Sequence, residues 1–160
     1  MSRDMSRAQR AEVIAKRVGD LWITVHPDHA ITDAEWREHL DVSVTEVQRN
    51  GPYPGILVWA PKQGPSAHQR RIMTEEYGKR LSLDKQRACA VITDSAVVRG
   101  IVTALTWFGA GTAMSAYSPA DVGKAFDWLA LHIEFDRKRA EDALQSLRVS
   151  AARERLAAGG

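Results

Sequence analysis

"PGILVWAPKQGPSAHQRRI", residues 54–72, contains one whole step of an alternating fold. Residues 55–60, "GILVWA", form a short unbroken apolar run of the kind found in a strand covered on both faces. Polar "PKQGP" closes the run. Ser66 then stands at the first turn of a helix that carries Met73, Tyr77 and Leu81 at four-residue spacing. A fully buried strand followed by an amphipathic helix predicts a parallel neighbour reached by a right-handed crossover.

The flanking sequence extends the pattern in both directions. Upstream, "AEVIAKRVGDLWITVHPDHAIT" (11–32) reads as two strands turning at Gly19 and Asp20, where glycine tolerates positive φ. Thr32 opens a helix with Glu35 at the capping-box spacing, and Trp36, Leu40, Val44 and Val47 recur on one face. Asn50 and Gly51 end that helix, and Pro52 and Pro54 forbid its continuation. Downstream come a strand in "RACAVITDS" (87–95), a helix in "AVVRGIVTALTWFG" (96–109) and a strand in "AMSAYS" (113–118). A further helix places Val122, Phe126, Leu129 and Ile133 in register. The expected fold is α/β: an N-terminal antiparallel hairpin, then alternating helix and strand, making a mixed sheet with helices packed on it.

Beyond Phe135 the composition shifts to alanine, arginine and glutamate, predicting a fifth helix with a narrow stripe of Ala140, Leu144, Leu147 and Ala151. Two placements are open: docking on the parent domain, or pairing with a second copy through residues 136–158 as a helical zipper. The chain therefore divides into a basic leader at 1–10, a domain at 11–135 and a C-terminal helical extension at 136–160. On this division, removing the residues after Asp136 leaves the domain folded.

Composition narrows the partners. The 22 basic and 20 acidic residues among 160 give a net charge of +2 and are mixed along the chain, so no broad positive footprint for nucleic acid is present. The longest apolar runs are too short to span a bilayer, and the opening lacks the apolar centre of a signal peptide, which predicts a soluble cytoplasmic protein without membrane insertion. The one cysteine, Cys89, lies inside "ACAVI" and reads as a small buried hydrophobe.

Several residues carry candidate chemistry. Ser66 reads first as an N-cap, second as a phosphorylation site with Arg70 and Arg71 nearby, and third as a nucleophile. The last reading is poor, because His68, two residues on, points to a different side of a helix. "HPDH" (26–29) puts His26, Asp28 and His29 together, but without a second ligand pair at zinc spacing, so no metal is expected. Asp94 and Ser95 end a central strand, where α/β sheets bind ligands, yet either residue equally caps the next helix. "GAGT" (109–112) lacks the lysine of a phosphate loop and reads as a turn. Trp22, Trp59, Trp107 and Trp128 read as core or interface, and His39 and His132 as helix residues at packing boundaries. No cofactor is expected.

Across residues 11–134 the order of elements resembles the STAS and SpoIIAA-like superfamily of anti-sigma factor antagonists. The strings that carry the resemblance are "VGDLWITVHPDHAIT", "GILVWA", "RACAVITDSAVVRGIVTALTWFG" and "MSAYSPADVGKAFDWL". The resemblance implies a non-enzymatic switch that binds a protein partner, a regulator, kinase or anti-sigma-like protein, around the turn after the third strand. By position that surface contains Ser66, His68, Arg70 and Arg71. The chain departs from the family pattern there: "KQGPSAHQ" has no aspartate before Ser66 and lacks the paired serines and following glycine. Two readings from other classes stand beside it. One is a small-molecule-binding protein or small enzyme with a site near Asp94 and a histidine of "HPDH". The other is a homo-oligomeric assembly protein using the last helix.

Overall fold

A computed structural model of the chain describes residues 14–62, 64–100 and 112–158. The basic leader at 1–10, Trp107, the glycines of "GAGT" and most of the third predicted helix lie outside these residues. The strands are β1 (Ala15–Val18), β2 (Leu21–Val25), β3 (Gly55–Trp59), β4 (Ala88–Ile92) and β5 (Ala113–Tyr117). The helices are α1 (Asp33–Asn50), α2 (Ala67–Glu76), α3 (described over 96–100), α4 (Val122–Ala130) and α5 (Arg137–Ala158). The strands form one sheet in the order β1-β2-β3-β4-β5; β1 and β2 are antiparallel and every other pair is parallel. The expected α/β mixed sheet is the fold observed. Among the described residues no helix is long and apolar enough to cross a membrane.

Local chemistry sets the element boundaries. Gly19, at φ +58°, takes the left-handed position of the two-residue hairpin turn between Val18 and Leu21. Thr32 and Glu35 make the capping box: Glu35 N–H donates to Thr32 Oγ1 at 3.1 Å, and Thr32 N–H donates to Glu35 Oε1 at 3.2 Å. Two predicted helices are shorter than their apolar spacing suggests. The second ends at Glu76, leaving Tyr77 and Leu81 in the following turns, and α4 ends at Ala130, leaving Ile133 beyond it. All three side chains are nevertheless buried, so the spacing marked the core correctly and the helix ends wrongly.

Each sheet face is covered by its own helices. On one face Leu21, Ile23, Leu57 and Ile92 pack with Phe126 and Leu129 of α4 and Leu144 and Leu147 of α5. On the other, Trp36, Leu40 and Val44 of α1 meet Ile72 of α2, and Trp22 stacks on Tyr53 at 5.5 Å with its indole N–H on Ser43 Oγ. Gly55 gives Ile133 room to cross the sheet: a Cβ built there would stand 2.1 Å from Ile133 Cδ1.

The fifth helix is therefore not an extension. It packs on β1 and β2, and its predicted stripe is spent within the chain: Ala140 and Leu147 are fully buried and Leu144 is 4% exposed. Asp136 Oδ1 accepts from Arg139 N–H at 3.0 Å, which caps the helix start. Arg137 forks onto Asp127 and Glu141 and ties α5 to α4. A boundary at 135/136 cuts through the core. Accordingly, Leu147→Ala should lower stability by about 2–5 kcal/mol in urea unfolding, and removing the residues after Asp136 should abolish cooperative unfolding.

Candidate functional site

Two features occupy the carboxyl-end edge of the parallel strands, where open α/β sheets place their ligands. The first is the corner where α2 begins. Ser66 is exposed, and its hydroxyl accepts from Gln69 N–H at 3.1 Å while Gln69 Oε1 accepts from Ser66 N–H at 3.0 Å. The capping reading of Ser66 is thus the one in place. Gln69 is buried and fixes the corner to α1: its Nε2 donates to Ile31 O at 2.8 Å and Asp33 Oδ1 at 3.0 Å, and its carbonyl accepts from Trp36 Nε1 at 2.7 Å. Around this rigid start, His68 is exposed and its Nε2 lies 3.7 Å from Asp33 Oδ2, not on Ser66. Arg70 folds back to donate to Pro65 O at 2.9 Å, and Arg71 is exposed. No serine–histidine pair is assembled here.

Asp94 and Ser95 divide as a cap does. Ser95 Oγ accepts from Val98 N–H at 3.2 Å, while Asp94 is exposed with its backbone N–H on Pro61 O. Neither residue lines the cleft described next. Cys89 sits in β4, and burial pushes its thiol up to about 12, so it carries no thiolate at neutral pH.

The second feature is an open cleft of about 570 Å³ beyond the ends of β2 and β3. Its floor is Trp59, the last residue of β3, and His26, which follows directly on the end of β2, and His26 N–H donates to Trp59 O at 2.8 Å. One wall is the first turns of α1, with Glu35, Glu38 and His39; the other is the second half of α5, with Arg148 and Glu154. Arg148 lays its guanidinium 4.0 Å over the Trp59 ring, a cation–π contact.

"HPDH" is split by this geometry. His29 reaches Glu35 at 2.9 Å near the surface, whereas His26 is 6% exposed and lies edge-on to Trp36 at 5.8 Å and to His39 at 4.9 Å. Among the described residues no group of three or more histidine, cysteine, aspartate or glutamate side chains is placed to hold a metal ion. His26 Nδ1 is buried without a hydrogen-bond partner, and burial pulls the imidazole down to about 4, so it is neutral at physiological pH. Partial burial opposes the charge of Glu35, but hydrogen bonds from the Thr32 backbone and hydroxyl and from His29 outweigh it and hold the carboxyl below its ordinary range.

The sequence reading missed the cleft because its floor and one wall are 89 positions apart, at Trp59 and Arg148. The usable signal was position: "HPDH" follows β2 at the strand end. No protein-family model, curated protein or solved structure matches the chain.

His26 makes stability depend on pH. The unfolded chain takes a proton on this histidine near pH 6.5, whereas the native fold refuses it until about pH 4. Protons bound to the unfolded state therefore exceed those on the native state between these values, and stability falls as pH drops through the window. The loss should approach about 3 kcal/mol by pH 4. In urea titrations at pH 7 and pH 4.5, His26→Leu should remove most of this difference; an equal fall in both proteins would contradict it.

Proposed function

We propose that the chain is a cytoplasmic, non-enzymatic STAS-like regulatory module that binds a protein partner through the corner where α2 begins. The observation that carries this reading is the rigidity and exposure of that corner together. Gln69 holds the start of α2 through two hydrogen bonds to α1 and one to Ile31 just before it, while Ser66, His68 and Arg71 face solvent. A preordered surface loses little conformational freedom on binding, which favours recognition. The Ser66 hydroxyl is engaged as a cap acceptor and has no base beside it, which supports binding over nucleophilic chemistry. The resemblance in element order points to the same turn.

Phosphorylation at Ser66 would add charge at the amino end of α2, where exposed amide dipoles favour it. The test uses the capping chemistry to separate surface from stability. Ser66→Ala should cost about 1 kcal/mol, whereas Ser66→Asp keeps a capping side chain and should melt close to the parent. Photo-crosslinkers placed at His68 and Arg71, compared with one at Lys138 on α5, should trap a protein partner in cells only from the α2 corner, and Ser66→Asp should change its yield. Equal trapping from all three positions, or none, would refute the assignment.

A further inference from the structure

We propose that the cleft over Trp59 binds a small organic cation, an amine with an apolar body, independently of the partner surface on α2. The space comes first. A volume of about 570 Å³ falls within the range of small-molecule sites, and its position outside the carboxyl ends of β2 and β3 is the usual one for an α/β sheet. Its floor also contains a buried polar group that the fold leaves unused: His26 is 6% exposed and its Nδ1 has no partner. Native folds rarely leave such a group without a reason.

Charge and surface then select the ligand. Among the described residues the lining contains the carboxylates of Asp28, Glu35, Glu38 and Glu154 against the guanidinium of Arg148, with the imidazoles of His26, His29 and His39 beside them and Glu35 hydrogen-bonded to His29. The excess of carboxylates over guanidinium in this described lining favours a cation. Divalent metal does not fit, since no three ligating side chains among the described residues converge on a point. Trp59 with Val25, Pro27 and Pro61 supplies apolar surface for the body of the ligand. The Trp59 face is already matched to a cation, because Arg148, an exposed side chain, rests on it at 4.0 Å. A ligand ammonium would take the place of that guanidinium on the ring.

The charge assignment gives a prediction of sign. Phenethylamine and 3-phenylpropionate share a ring and a similar tether but carry opposite charges, and serve as the probes for the full chain, followed by NMR at the Trp59 indole and the His39 ring. Phenethylamine should saturate with a Kd of about 1 mM or tighter, and 3-phenylpropionate should not. Arg148→Met removes a competing cation and should tighten amine binding, whereas Glu38→Gln with Glu154→Gln should weaken it roughly two- to tenfold. Thermal melts of both variants establish that they are folded. Binding of the acid in preference to the amine, weaker amine binding in Arg148→Met, or no saturation by either probe would each overturn the proposal.

Discussion

A five-stranded sheet with four adjacent strand spacings is about 19 Å across, and one helix covers only about 10 Å of it. This width is the constraint on which the remaining structure depends. β3 and β4 have parallel neighbours on both sides, and Leu57, Ala88, Ala90 and Ile92 are completely buried on the face that packs against α4 and α5, so that face excludes water. On the face of Leu57, α4 covers β4 and β5 but leaves β1 and β2 open; α5 covers them. The alanines in the α5 stripe serve this purpose. Ala140 and Ala143 bring the helix backbone close to the strands, and Leu144 and Leu147 fill the space between.

The second consequence of α5 is chemical. Its first half completes the core, and its second half runs past the ends of β2 and β3 as a wall of the cleft. Fold and cleft therefore share one element, and Arg148 is positioned on Trp59 because Leu147, its neighbour in the chain, is anchored in the core. Between the cleft and the α2 corner stands Trp36. Its ring lies against His26, and its indole N–H donates to Gln69, the residue that shares a capping box with Ser66. Trp36 lines neither site but touches one residue of each. Contiguity of this kind becomes coupling only where ligand and partner prefer different arrangements of it.

The sequence made some of this legible and hid the rest for physical reasons. Signals confined to a short window were reliable: the apolar run at 55–60, the glycine at the hairpin turn, and the caps at Thr32 and Ser66 depend on residues within a few positions of one another. Burial was also legible at Tyr77, Leu81 and Ile133, because helical spacing and turn geometry present the same side to the core. Helix ends were not, since nothing in the spacing distinguishes a last helical turn from the turns that follow. The placement of α5 was hidden because a thin alanine–leucine stripe suits a sheet and a partner helix equally. Its contacts are also distant in the chain, as Lys16 reaching Ser146 shows. The cleft was hidden for the same reason, being assembled only when Arg148 arrives over Trp59.

α5 belongs to the same cooperative unit as the sheet. Native-state hydrogen exchange tests this most directly, by comparing the amides of residues 140–147 with those of β3 as denaturant is raised. Both sets should exchange only through global unfolding, with the same free energy and denaturant dependence. Exchange of 140–147 through a smaller, local opening while β3 stays protected would contradict it, and would restore α5 to the status of an appended helix.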